Sequence, residues 1–220
     1  MTVRANPVRG RRAGTAEKTT SARGSVPVVL ASASPRRADV LKMLGLSFEV
    51  APARIEERRE PGEAPLRYVE RLAREKARAV SATRANSLTI AGDTIVVLDG
   101  RVLEKPTDRE DAAGMLASLS GRVHSVYSGL ALARGGRMAS RVAKARVTFR
   151  SVGHDLIGSY VETGEPLDKA GGYGIQGYGS ALVERIEGDY FTVVGLSVAA
   201  FVELLPELGL DYRPGKVFAP

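Results

Sequence analysis

The sequence has no cysteine and no tryptophan, and aromatic residues make up only 5% of its 220 positions. Without thiols there can be no disulfide, thiolate metal site or cysteine nucleophile, so any metal must be held by oxygen or nitrogen ligands. A hard divalent cation fits that ligand set better than zinc. Long apolar runs are missing as well. Nothing approaches the roughly 18 to 20 residues that span a bilayer, and no short apolar signal core follows Met1. A cytoplasmic protein without a membrane partner is expected. What is present is an ordinary globular composition, 44% hydrophobic and 26% charged, enough for one well-buried domain.

The net charge of +7 suggests nucleic acid until its location is considered. Arg4, Arg9, Arg11, Arg12, Lys18 and Arg23 stand against Glu17 alone in residues 1–25, so +5 of the +7 lies there. The rest of the chain is nearly balanced and gives no reason to expect a nucleic-acid partner. Residues 1–25 are rich in Gly, Ser, Thr and Ala and poor in large apolar residues, which predicts a disordered basic tail, with an organellar transit peptide as the alternative. Residues 26–210 form the expected domain, and 211–220 a C-terminal tail.

Val26 to Ser32 reads as a buried strand running into Ala33-Ser-Pro-Arg-Arg37 and a helix carrying Val40, Leu41 and Leu44. Ser34 as N-cap and Pro35 at the first helical position open that helix, and its free amides beside Arg36 and Arg37 suit an anion. Phe48 to Ala51 suggests a second strand. Pro65 opens a helix through Val80 with Leu66, Val69, Leu72, Ala73, Ala77 and Val80 on an apolar stripe, leaving Arg71, Glu75 and Lys76 on a largely solvated side. Leu88 to Leu98 is a nearly all-apolar strand interrupted by Gly92-Asp93-Thr94. A carboxylate there must be paired, hydrogen-bonded or metal-bound, which makes Asp93 a functional candidate.

A helix from about Asp108 to Leu119, a strand from Val123 to Arg134, a Gly135-Gly136 hairpin to a strand through Arg150, and a short helix over 155–164 follow. His124, alone after a strand start, reads as structural before it reads as a base. Strand Ala181 to Ile186, strand Tyr190 to Val194 and a helix from Ser197 to Leu208 complete the expected order. Strands and helices interleave without a strict rhythm, so the fold class is α/β with a mixed twisted sheet. Between them, Lys169-Ala-Gly-Gly-Tyr-Gly-Ile-Gln-Gly177 packs four glycines into nine residues. Backbone must approach something closely there, with Lys169 suited to phosphate and Gln176 to a base edge. Taken alone, the stretch is equally a surface turn.

Ser34-Pro-Arg-Arg37, Glu57, Leu72-Ala-Arg-Glu-Lys76-Ala, Gly92-Asp93-Thr94, Lys105-Pro106, Leu119-Ser-Gly-Arg-Val-His124 and Glu165-Pro-Leu-Asp-Lys169 through Gln176-Gly together resemble the Maf family of nucleoside triphosphate pyrophosphatases from Val28 to Leu210. The resemblance implies a fold shared with the inosine triphosphate pyrophosphatases, with helices flanking the sheet in two lobes around a cleft. It also implies a homodimer that hydrolyses a nucleoside triphosphate to monophosphate and pyrophosphate. Ser34, Arg37, Lys76, Lys105 and Lys169 could neutralise the triphosphate. Glu57 and Asp93 could hold a divalent cation, Mg2+ or Mn2+. In the family the aspartate matching Asp93 is the base that activates water, as base, metal ligand or both. Catalytic positions are therefore Asp93, Glu57 and Lys76.

Family branches resembling dTTP/UTP pyrophosphatases carry Arg, Thr and Gln where this chain has Arg36, Thr94 and Gln176. A 7-methyl-GTP branch instead uses Trp and Glu. A glutamine pairs one donor and one acceptor with the imide edge of uracil or thymine. Rotating its amide would meet cytosine, so CTP stays open. Missing tryptophan disfavours a stacked, cationic methylguanine. Two departures from the family pattern, at Gly92 and at Gly172, exchange small residues only. The rival expectation is a nucleotide- or RNA-binding regulator tied to septum formation and division arrest, with which family members have also been associated.

Overall fold

The computed structural model describes residues 24–220. The basic stretch expected to be disordered lies outside the described residues but for Gly24 and Ser25. The framework is a seven-stranded mixed sheet. It is built from β1 (Val28–Leu30), β2 (Phe48–Val50), β3 (Leu88–Leu98), β4 (Arg101–Leu103), β5 (Val123–Arg134), β6 (Arg137–Phe149) and β7 (Val183–Gly188). Strand order is β2-β1-β3-β5-β6-β7, with β4 paired to β3. β1 lies parallel to β2 and β3, and the remaining pairs are antiparallel. The parallel pairs require crossover connections, supplied by α1 (Pro35–Met43) and α2 (Pro65–Ser81).

β3 explains the two lobes. At its first half Leu88 and Ile90 join Val28, Leu30, Leu130 and Leu132 beneath α1, α5 (Tyr190–Val194) and α6 (Val198–Leu204). At its second half Val96 and Leu98 join Val126, Val147 and Phe149 beneath α3 (Arg109–Leu119) and α4 (His154–Glu162). α2 covers the opposite face, with Ala73 and Ala77 against Ala91 and Ala131, and Val69 and Leu72 against Ile95 and Val97. Each large side chain buried this way contributes about 1.5–3 kcal/mol. Gly92, Asp93 and Thr94 fall between the two packed halves, where the cleft opens.

Gly129 on β5 lets α2 lie close: a Cβ there would sit 2.4 Å from the Val69 carbonyl oxygen. Four expectations fail. Tyr190–Val194 is a helix, because Asp189 caps it by accepting from the amides of Phe191 and Thr192. Lys76 is buried, at 7% exposure, rather than solvated. Leu66, in the first turn of α2, points away from the stripe and is 49% exposed. The supposed tail at 211–220 is a hairpin of β8 (Asp211–Arg213) and β9 (Lys216–Phe218). Its Val217 and Phe218 are buried, and the Val217 carbonyl accepts from the Val26 amide.

Candidate active site

The cleft between the lobes encloses about 570 Å³. Its floor comes from the middle of β3 and the facing turn of α2. There the Lys76 ammonium lies 2.8 Å from an Asp93 Oδ1 and 2.8 Å from a Glu57 Oε2. Asp93 is 8% exposed, so its carboxylate is almost removed from water and balanced by one buried cation. Glu57 approaches from the connection before α2 and keeps close to half of its side chain in solvent. Three site residues far apart in sequence thus meet at one ammonium.

The β1–α1 turn forms the adjoining wall. Ser34 is the N-cap of α1 by backbone conformation, yet its side chain makes no capping bond, which leaves the hydroxyl free toward the cleft that it lines. Arg37 donates through Nε to the Gly195 carbonyl at 2.8 Å, through one terminal nitrogen to Ser32 Oγ at 2.9 Å, and through the other to Thr94 Oγ1 at 3.2 Å. Three of its five N–H groups are thereby committed, and two remain for a ligand. Burial lowers the Arg37 pKa, opposed by the nearby Asp93 charge. Gly92 packs closely beside it: a Cβ would stand 3.2 Å from Arg37 Nε, so any larger residue would press on the guanidinium.

The Gly-rich stretch closes the other side as three 3-10 turns, Glu165–Asp168, Ala170–Gly172 and Gly177–Leu182. Asp168 gathers two cations, Lys169 Nζ at 2.6 Å and an Arg36 terminal nitrogen at 3.6 Å. Burial would raise the Asp168 pKa, but the Lys169 hydrogen bond and the Lys169 and Arg36 charges outweigh it and hold the carboxyl below its ordinary value. Lys105 lines the cleft and has no ion pair among the described residues. Gln176 is the exception. It is exposed and does not line the cleft, although its neighbours Gly174 and Ile175 do.

Tyr68, Glu104 and Asp168 line the cleft but had no role in the sequence reading. Tyr68 donates to Glu104 at 3.2 Å, and burial together with Glu104 pushes its pKa well up. Asp168 stood inside a quoted motif without a role; its place beside Lys169 was visible in the sequence, but Arg36 is brought to it only by the fold. For Tyr68, on the apolar side of α2, no such signal exists. His124 is buried behind the wall, with Nε2 2.7 Å from the Tyr173 hydroxyl and edge-on contacts to Phe149 and Tyr173. Burial lowers its pKa to about 4. It lies outside the cleft lining and is neutral near pH 7, as a structural role requires.

The Maf-like protein family model matches residues 27–208. The chain is 53% identical over 186 residues to the dTTP/UTP pyrophosphatase of Moorella thermoacetica, covering 84% of this chain and 96% of that protein. It is 46% identical over 183 residues to the dTTP/UTP pyrophosphatase of Koribacter versatilis, covering 83% and 95%. The solved structure of the Staphylococcus aureus Ham1 protein aligns with a TM-score of 0.42 at 17% identity over 79% of this chain and 88% of that one.

Proposed function

The chain belongs to the Maf family, and from that membership we propose that it is a nucleoside triphosphate pyrophosphatase acting on dTTP and UTP. The observation that carries the chemistry is the nearly dry Asp93 carboxylate on the cleft floor, set among Lys76, Arg37, Lys105 and Lys169. Water attacks the α-phosphorus, the bond from that phosphorus to the α,β-bridging oxygen breaks, and pyrophosphate leaves. Asp93 takes the proton from the attacking water. Lys105 and the two free N–H groups of Arg37 meet phosphate oxygens, and a phosphate replaces Asp168 as the anion shared by Arg36 and Lys169.

The donor chemistry fits a divalent cation. Two carboxylates converge on a single positive centre, now the Lys76 ammonium, and magnesium typically takes one or two carboxylates plus water and substrate phosphate. Glu57 and Asp93 would hold Mg2+ or Mn2+, which when bound supplies Lewis-acid polarisation of the phosphate oxygens. Gln176 reads the pyrimidine from the rim, its amide offering one donor and one acceptor to the imide edge. The reading extends to a cytoplasmic homodimer, supported by the family resemblance; light scattering should give twice the 23.4 kDa chain mass.

Purified protein incubated with magnesium and UTP, dTTP, CTP, GTP or ITP should release pyrophosphate, fastest from UTP and dTTP. Orthophosphate release, or no turnover of either substrate, would overturn the proposal.

A further inference from the structure

The Gly-rich wall is held from behind by one side chain that the chemistry above does not use. One Glu165 carboxylate oxygen accepts from the Tyr160 hydroxyl at 3.0 Å and from the Gly179 amide at 3.2 Å. The other accepts from the Tyr178 amide at 3.1 Å. Tyr160 in turn accepts from the Gly174 amide at 3.1 Å. Both ends of segment 174–179 are therefore tied to Glu165, directly at 178 and 179 and through Tyr160 at 174. Gln176 lies midway between those ties.

The glycines of the segment are spaced for this purpose. A Cβ on Gly177 would come within 2.7 Å of a Glu165 carboxylate oxygen, and one on Gly179 within 2.4 Å of the Gly174 carbonyl oxygen. At Gly179 the clash is with backbone and leaves no room for a side chain, whereas at Gly177 a side chain would displace the Glu165 carboxylate and be strained at a φ of +72°. Burial and then the Glu165 interactions raise the Tyr160 pKa, whereas the Gly174 hydrogen bond lowers it, so the hydroxyl keeps its proton and can donate to the carboxylate. Meanwhile Glu165 uses its main chain, not its side chain, for phosphate: its carbonyl oxygen accepts from Lys169 Nζ at 2.6 Å.

We infer that Glu165 is the positioning residue for base discrimination, its carboxylate fixing the backbone that presents Gln176 while Lys169 is held independently by the Glu165 carbonyl. The inference rests on the pyrimidine-triphosphate reading. It separates two properties of one loop: truncating the carboxylate frees the base-reading segment and leaves the main-chain grip on the phosphate lysine in place. Base selectivity and KM should move further than kcat.

Glu165→Ala should raise KM for UTP about tenfold and bring the UTP-to-CTP ratio of kcat/KM close to one. Glu165→Gln retains one acceptor oxygen but turns an amide nitrogen toward a main-chain N–H, so it should fall between wild type and Glu165→Ala. Tyr160→Phe removes the hydroxyl that links Gly174 to Glu165, leaves the ties at 178 and 179, and should shift the ratio in the same direction by less. Circular dichroism and thermal melting establish that each variant is folded. Folded Glu165→Ala with an unchanged UTP-to-CTP ratio overturns the inference, as does a loss confined to kcat. If wild-type protein turns over no pyrimidine triphosphate, the functional reading fails separately. Equilibrium binding of UTP and CTP without metal then decides the role of Glu165, an equal ratio of dissociation constants in wild type and Glu165→Ala overturning it.

Discussion

The floor of the cleft and its Gly-rich wall are built on opposite plans. On the floor, Asp93 and Lys76 project from a long buried strand and the packed face of a 17-residue helix, and their charges neutralise each other inside the protein. The wall has no regular element longer than a few residues, and it is held by the Tyr178 and Gly179 amides and the Lys169 ammonium donating to one glutamate, Glu165, with Gln176 in solvent. Chemistry that depends on the position of a reacting atom gains from rigid packing, whereas recognition of a base edge tolerates a segment that can adjust. Substitutions on the floor should therefore change rate or stability, and those on the wall should change selectivity.

The largest expected effect tests the floor. Asp93→Asn should lower kcat by about 10²–10⁴-fold with the UTP preference intact, measured as pyrophosphate release. A change in preference with little loss of rate would break the contrast.

Lys76→Met leaves the Asp93 and Glu57 carboxylates facing one another without their cation. Urea unfolding should show a loss of about 4 kcal/mol, because removing one partner strands buried charge. His124 stands at the seam, braced against the wall through Tyr173. Its pKa falls from 6.5 to about 4 on folding, so between those values the unfolded chain binds the proton more tightly. That contribution is complete above pH 6.5 and is lost as pH falls toward 4, about 3 kcal/mol in all. His124→Gln should flatten the dependence of stability on pH over this window.

The smallest effect belongs to the wall. Gln176→Glu should reduce kcat/KM for UTP about tenfold and improve GTP relative to UTP, with kcat on the best substrate little altered. An equal loss on every nucleotide would show that the residue acts on the phosphates after all.

Much of the floor was legible because its signals are local or chemically costly. A carboxylate inside Leu-Thr-Ile-Ala-Gly-Asp-Thr-Ile-Val-Val-Leu has to be explained, and it marks β3 and Asp93 at once. Ser34-Pro35 marks the start of α1. Lys76 was harder. Its place on α2 resembles a solvated position until Asp93 and Glu57 are brought to it from elsewhere in the chain. Tyr190-Phe-Thr-Val-Val has the composition of a strand, but the Asp189 carboxylate takes two amides and starts a helix, so a capping interaction overrides side-chain preference.

The sequence by itself determined the ligand chemistry: no thiols, one carboxylate among apolar residues, cations at turn positions, and glycines wherever backbone had to come close. Only the tertiary structure decided which charges share a volume. Lys76 became the counter-ion of two carboxylates, Asp168 the anchor of two cations, and Glu165 the support of the wall. Periodicity reports which face of an element is buried, but Coulomb and hydrogen-bond energies act over a few ångströms between residues as far apart in sequence as Arg37 and Gly195, and the fold alone sets those distances.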